Sequence, residues 1–225
     1  MFMGHYGPAL AIKAARPVLP LWLLFVAVQL VDVAWAVLVL LGIEKVRIVP
    51  GITASNPLDL YYMPYTHSLV AALLWSVAAA VLWRLLPRAR SWPVAAWVGL
   101  AVLSHWVLDL LVHRPDLPLY NNVMKVGFGL WNFPLLALAL EALLFFGGMW
   151  LYLRRTTTVG TFGRYAMPVF GLVLLAFQAA LVFGPPPSSP TAAAVWALAA
   201  YVAVAAVGYW LDRQRVHGPF KGPGA

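Results

Sequence analysis

The sequence predicts an all-α, polytopic membrane helix bundle with about six transmembrane helices and a short N-terminal helix. Three observations carry this expectation. Hydrophobic residues make up 63% of the 225-residue chain and charged residues only 10%, a balance that belongs to integral membrane proteins. Several apolar runs reach the ~20 residues that cross the hydrocarbon core as a helix. No alternation of apolar and polar residues marks strands, and every backbone amide in lipid must be paired, so helices are favoured over a barrel.

Taken in order, the N-terminal stretch "GHYGPALAIKAARPVLP" is too short to span. Pro8 suits the first turn of a helix and Pro17 its end, which predicts a short helix over Pro8 to Arg16. That helix either lies flat on the cytoplasmic face or rises into the bundle, and only the second placement brings His5 to membrane depth. The spans follow as Leu19 to Leu41, Tyr65 to Leu85, Pro93 to Val112, Phe133 to Leu153, Tyr165 to Phe183 and Thr191 to Leu211. The first contains Ala34-Trp35-Ala36 behind Lys13 and Arg16, but it holds Asp32 and continues past that site, so it reads as a retained span and not a cleaved leader. No repeat or long linker divides the chain, so residues 1–225 are expected to form one membrane domain. Within it, 1–153 carry the ionisable groups and 154–225 form two apolar packing helices and a tail. The small residues of those last helices suit close helix approach and a homo-oligomer contact.

The net charge of +8 is dispersed over helix ends and not clustered, so nucleic acid is not expected as a partner. With the N-terminus inside, Lys13, Arg16, Arg84, Arg88, Arg90, Arg154, Arg155, Arg164, Arg213, Arg215 and Lys221 fall on the cytoplasmic side, and Lys45, Arg47, Arg114 and Lys125 on the outer side. Eleven against four predicts that both termini are cytoplasmic. The chain has no cysteine, which excludes disulfides and thiolate ligands but identifies no compartment.

Asp32, Asp109 and Glu141 fall inside apolar runs, where a charge costs about 2.5 to 3.5 kcal/mol on insertion scales. At ~1.5 Å per residue, Asp32 beyond Pro20 and His105 beyond Pro93 both lie ~18 Å from the cytoplasmic face. Asp109 is one turn higher, His67 lies at the start of the second span, and Glu141 returns to the Asp32 level. His105, Asp109 and His113 share one helical face, within about 80° of one another. Pro115 ends that helix near His113 and leaves Asp116 in the loop. Histidines near helix ends, such as His67 and His113, are commonly interfacial; Asp116 commonly caps a turn, and His217 in the tail is expected to be solvated. No Lys or Arg lies at the depth of Asp32. Buried carboxylates without basic partners must be protonated, hydrated or bound to a cation, and neighbouring imidazoles point to a divalent metal, zinc first.

The elements "GHYGPALAIK", "LVDVAW", "PYTHSL" and "SHWVLDLLVHRPDLPL" together resemble the inner-membrane metal-dependent hydrolases, a family also described as LexA-binding, inner-membrane-associated hydrolases. The resemblance covers roughly Met1 to Glu141 and rests on the order and spacing of an N-terminal His, an Asp in the next helix, Thr-His-Ser-Leu, and Ser-His-x-x-x-Asp. It implies that His5, Asp32, His67, His105 and Asp109 hold metal. The stretch "KVGFGLWNFPLLALALE" is similar to a branch carrying a Gly-Leu-Trp-Asn element, while "YYMPYTHS" lacks the Arg-Gly pair more usual before Thr-His-Ser.

Five candidate ligands exceed the three of a single catalytic zinc, so one or two ions are expected, with Asp109 and Glu141 as catalytic carboxylates. Thr66 and Ser68 flank His67 at a helix N-terminus, where unpaired amides suit an anion such as phosphate. His113, Arg114 and Lys125 are placed at the outer rim to hold a phosphorylated head group. The function expected is hydrolysis of a lipid-linked phosphoester or ester near the outer leaflet of the inner membrane. The rival expectation is an ion- or proton-coupled transporter, whose pathway the same buried groups would mark.

Overall fold

The computed structural model describes residues 1–86 and 91–218. Arg88, Arg90 and Lys221, three of the basic residues used to orient the chain, lie outside the described residues. A 3₁₀ turn (Met3–His5) leads into α1 (Tyr6–Ala15), followed by α2 (Leu21–Val28), α3 (Leu30–Leu40), β1 (Lys45–Ile48), β2 (Leu58–Tyr62), α4 (Leu69–Leu85) and α5 (Trp92–Val112). Then come β3 (Leu117–Tyr120), β4 (Val123–Val126), a second 3₁₀ turn (Leu130–Asn132), α6 (Pro134–Arg155), β5 (Thr156–Thr158), α7 (Phe162–Phe183), α8 (Pro190–Arg213) and β6 (Arg215–His217). The chain is mostly helical, and each apolar run of the sequence is helical in the structure.

Among the described residues four helices, α5 to α8, are long and apolar enough to cross a membrane, and α2 with α3 makes a fifth if the bent pair is one span. α4 is shorter, with 17 residues. The outward surface carries large apolar side chains, among them Leu82, Leu135, Leu143 and Trp196, each at least 66% exposed. Apolar surface on that scale suits a hydrocarbon surrounding and not water, so the fold is that of a membrane-associated helical protein.

Two features depart from the sequence reading. The first apolar run is not one straight helix: it bends by 55° between α2 and α3 at Gln29. Neither Pro nor Gly stands there. Gln29 leaves helical geometry, and its side-chain amide donates to the Phe2 carbonyl at 3.2 Å. The second departure is three antiparallel strand pairs, β1 with β2, β3 with β4 and β5 with β6. Strands of three to five residues are too short for a periodicity test to register. The first two pairs close one end of the bundle, where α3 and α5 finish, and β5 with β6 ties the far ends of α6 and α8. At the first, "hairpin" end, the Lys125 ammonium and the Asn122 amide both donate to the Tyr61 carbonyl, at 3.0 and 3.1 Å.

Of the two placements open to the N-terminal segment, the structure takes the buried one. Helix starts earlier than expected, at Met3, because Pro8 then falls within the first turn of α1, where a missing N–H is tolerated. α1 runs close against α6: a Cβ at Gly7 would collide with the Leu144 carbonyl, and one at Gly148 with the Gly7 carbonyl. Below this crossing Lys13 is buried, with its ammonium 2.9 Å from Asp212 of α8 and donating to the carbonyls of Pro17 and Leu19. α8 packs chiefly on α2 and α3, and α7 on α6, so these two consecutive helices barely touch one another.

Gly148→Ala is therefore expected to lower stability by about 1–3 kcal/mol through overpacking at the α1–α6 crossing. Gly147→Ala, one residue away and with nothing within 4 Å of its added Cβ, is expected to be neutral or to stabilise by up to about 1 kcal/mol from helix propensity. Thermal unfolding of both variants in detergent checks the contrast, and equal behaviour would contradict the crossing.

Candidate metal centre

Three ionisable residues repeat at intervals of four along the end of α5, so one helical face carries His105, Asp109 and, at the C-cap, His113. Four other segments bring groups to that face. The N-terminal turn supplies His5 and the Met1 amino group, α3 supplies Asp32 from its first turn, the segment before α4 supplies His67, and α8 supplies Tyr201. Asp109 is the centre of the arrangement. Its Oδ1 lies 2.8 Å from the Met1 amino nitrogen and 3.1 Å from His5 Nε2. Its Oδ2 lies 3.1 Å from His105 Nε2, 3.6 Å from His113 Nε2 and 3.9 Å from His67 Nε2. Asp32 faces the same space, with Oδ1 3.2 Å from His67 Nε2 and 3.5 Å from His105 Nε2, while Oδ2 accepts from the Tyr201 hydroxyl at 2.7 Å.

The imidazoles of His5 and His105 stack at 3.9 Å between centroids, and both rings are fully buried. His67 and His113 are buried as well. Neither is the interfacial residue that its place at a helix end suggests, because the hairpins cover that end of the bundle. His113 belongs to the interior and not to an outer rim: its ring lies 4.1 Å from that of Trp131.

Three of the four histidines have their other ring nitrogen held by an acceptor. His105 Nδ1 is 2.7 Å from the Val28 carbonyl, which ends α2 at the bend and has the free acceptor capacity of a helix C-terminus. His67 Nδ1 is 2.8 Å from Thr66 Oγ1, whose hydroxyl donates to Glu44 Oε2 at 2.6 Å. His113 Nδ1 is 2.8 Å from Asp116 Oδ1. A carbonyl and a carboxylate only accept, and the single Thr66 proton is already given to Glu44, so the hydrogen in each case sits on Nδ1. Each Nε2 then turns towards Asp109 or Asp32, the outer-shell pattern of metal-binding histidines.

Two overlapping donor sets meet the geometry of a cation site. His5, His105 and Asp109 form one, and Asp32, His67 and His105 the other; within each, one donor atom per residue lies within 4.8 Å of the rest. Ligands of a tetrahedral ion at ~2.1 Å bond length stand about 3.4 Å apart, and the closest Nε2 to carboxylate distances here, 3.1 to 3.5 Å, bracket that value. Nitrogen and oxygen donors of this kind suit divalent transition ions. The buried His/Asp cluster can therefore hold a metal ion. Buried without hydrogen-bond partners, His5 Nε2 and His105 Nε2 are the donor atoms the arrangement leaves free for it.

The remaining residues singled out from the sequence take other positions. Glu141 stands outside both donor sets: Oε2 accepts from the backbone of Phe2 and Gly4 at 3.0 and 3.1 Å, and Oε1 from the Gln178 amide at 2.9 Å. With both oxygens engaged, it anchors the turn that carries His5. Thr66 and Ser68 do not offer an open anion site. The amides of Tyr65 and Thr66 donate to Glu44 Oε1 at 2.8 and 3.0 Å, so an internal carboxylate occupies that position. Burial raises the Glu44 pKa against the pull of these donors. Ser68 caps α4 by accepting from the Ala71 amide and itself donates to the Pro64 carbonyl.

Arg114 is paired to Asp59 at 2.5 Å and to Asp116 at 3.1 Å, and Lys125 is engaged by Tyr61, so neither rim cation is free for a head group. Asp116 does more than turn the loop, because it orients His113. His217 is half-buried beside Tyr152 and only partly solvated, since β6 pairs with β5.

Several contributors escaped the sequence reading. Glu44 and Asp59 are two of only seven carboxylates, a scarcity that could have flagged them. Tyr201 is one of nine tyrosines and carried no signal. Its bond to Asp32, and that of Gln178 to Glu141, correct the expectation that the last two helices only pack. The counter-charge missing at this depth is supplied at Asp109 by the Met1 amino group, which a count of Lys and Arg does not register.

No family model matches the chain, and no curated protein or solved structure matches it.

Purified protein is expected to carry at least one equivalent of a divalent transition metal by elemental analysis, lost in His105→Ala and in Asp109→Asn. Thr66→Val, which removes the acceptor that holds His67 Nδ1, is expected to weaken metal affinity by about 10- to 100-fold. Metal-free protein of undiminished thermal stability would contradict the centre.

Proposed function

We propose that this chain is an inner-membrane hydrolase that uses one or two bound divalent ions, zinc first, to cleave a lipid-linked phosphoester or ester. The single observation that supports it most is the opening of the His/Asp cluster onto a cavity of about 650 Å³. Asp32, His67, Asp109 and His113 line one part of that cavity, and apolar side chains line most of the rest. A mostly apolar pocket with a few convergent polar groups is the usual form of a small-molecule site. The order of His5, Asp32, the Thr-His-Ser-Leu element and the Ser-His-x-x-x-Asp helix, which resembles the inner-membrane metal-dependent hydrolases, agrees with the same reading.

In this proposal six segments cross the membrane, with α2 and α3 acting as one bent span and α4 at the lower limit of length. The C-terminus is cytoplasmic and the hairpin end faces outward, in keeping with the distribution of Lys and Arg, whereas the amino end lies inside the bundle beside Asp109 and not in the cytoplasm as expected. His5, Asp32, His67, His105 and Asp109 would hold the metal, with His113 beside them. The chemistry such an ion would supply is Lewis-acid activation of water and of the ester or phosphoryl oxygen. The protein's own groups do the rest. Tyr201 fixes the orientation of Asp32, and Asp109 joins the Met1 amino group to His5 and His105. Glu141 keeps the His5 turn in place, and the hairpins and Trp131 keep bulk water from the imidazoles.

The test is release of phosphate from short-chain alkyl phosphates, and of alcohol from the matching carboxylic esters, by metal-loaded protein in mixed micelles. Turnover is expected, with kcat/KM lowered about 10²- to 10³-fold or more in Asp109→Asn and Asp32→Asn, and Tyr201→Phe affected less. Absence of hydrolysis together with Asp109-dependent ion or proton flux in sealed vesicles would replace the enzyme by a transporter.

A further inference from the structure

The cavity beside the cluster has a second wall that the proposed chemistry does not use. α7 contributes Phe177 and Leu181, one turn apart, and α8 contributes Ala193, Ala197 and Ala200, which at 100° per residue fall within about 60° of one another. The two helices are consecutive and antiparallel, yet each packs on other partners, so the cavity runs between them. The wall is apolar apart from Gln178 and Tyr201, whose polar groups already bond to Glu141 and Asp32. A polar ligand would find nothing to bind along it. The outer faces of the same helices carry exposed Leu172, Val173, Val195 and Val202, and both helices are long and apolar enough to cross a membrane. Hydrocarbon therefore lies on the far side of the gap.

We infer that the gap between α7 and α8 is a lateral slot for one extended hydrocarbon chain, entered sideways from the bilayer, with an anionic phosphate head lying against the His/Asp cluster. Cavities of roughly 300–1,000 Å³ hold one drug-sized ligand, so the cavity as a whole, about 650 Å³ with the cluster side included, takes a head group with a single acyl or prenyl chain and not the paired chains of a bulk phospholipid. The alanines are what keep it open: each larger side chain at 197 or 200 would project into the space the chain occupies. This assigns α8 a part in choosing the substrate, beyond the Tyr201 contact. The identity of the head group rests on the hydrolase reading, whereas the slot itself does not.

The experiment uses dodecyl phosphate carrying a diazirine at the end of its chain, photolysed with the full-length protein in micelles and mapped by mass spectrometry of peptides. Label is expected in the stretches 174–183 of α7 and 193–203 of α8, displaced by excess unlabelled dodecyl phosphate and not by inorganic phosphate. Ala200→Trp and Ala197→Phe should each lower this labelling at least tenfold with metal content unchanged. Val202→Trp, on the outward face, should leave it intact. If Ala200→Trp fails to fold, Ala197→Phe and the displacement measurement still decide. Label spread evenly over outward residues such as Leu135 and Leu143, or insensitive to both alanine variants, would overturn the slot. Labelling as expected in a protein without turnover would sink the hydrolase and leave the slot, and turnover without such labelling would do the reverse.

Discussion

Two carboxylates enclosed in an apolar bundle set the terms for the rest of this structure. Asp109 is fully buried and Asp32 nearly so on its side chain, and an isolated ionised carboxylate cannot be kept in such surroundings without compensating positive charge. Four imidazole Nε2 atoms and one amino group answer that demand at Asp109 and Asp32. A positive charge has to lie among these atoms, carried by protons on Nε2 or by a metal between them. The Nδ1 hydrogen bonds leave Nε2 available for either, and they hold each ring in the orientation a metal needs.

Much of the local irregularity serves this enclosure. The bend at Gln29 stops α2 at Val28, which turns a carbonyl towards His105, and the Gln29 side chain then holds the backbone of Phe2. The close α1–α6 crossing allows the N-terminal turn to sit inside the bundle, where Glu141 binds two of its amides. The hairpin end works in the same way. Its charges are used within the protein: Arg114 links Asp59 to Asp116, Asp116 orients His113, and Glu44 orients His67 through Thr66. A buried ion pair of this sort contributes little net stability, but removing one member leaves the other uncompensated. These groups act by positioning, and they lie one to three hydrogen bonds away from the imidazoles.

The legible part of the site was the part carried by one helix. The i, i+4, i+8 spacing on α5, its end at His113 and the equal depth of Asp32 and His105 all follow from helix geometry, and the structure joins these residues. The short N-terminal helix was legible as a helix but not in its placement, which depends on the two glycines meeting across α1 and α6. The expected anion site at Thr66 and Ser68 was a sound reading of a helix N-terminus that had overlooked an internal carboxylate. Glu44 lies more than twenty residues away in sequence and reaches those amides only because the β1–β2 hairpin pairs Lys45 with Tyr62. The partners of Arg114, Asp59 and Asp116, are likewise brought to it by the hairpins and not by the local sequence alone.

By itself the sequence determined the helices, their apolar character and the residues able to bind a cation, because hydrophobic run length and the 3.6-residue period are local properties of the chain. The tertiary structure alone decided that α8 would send Tyr201 to Asp32, that α7 and α8 would stand apart, and that the chain would break at Gln29 without Pro or Gly. Those outcomes depend on how each helix is rotated and how closely its neighbours approach. Side-chain volume and backbone contact between distant segments settle both, and neither is written in any one stretch of residues.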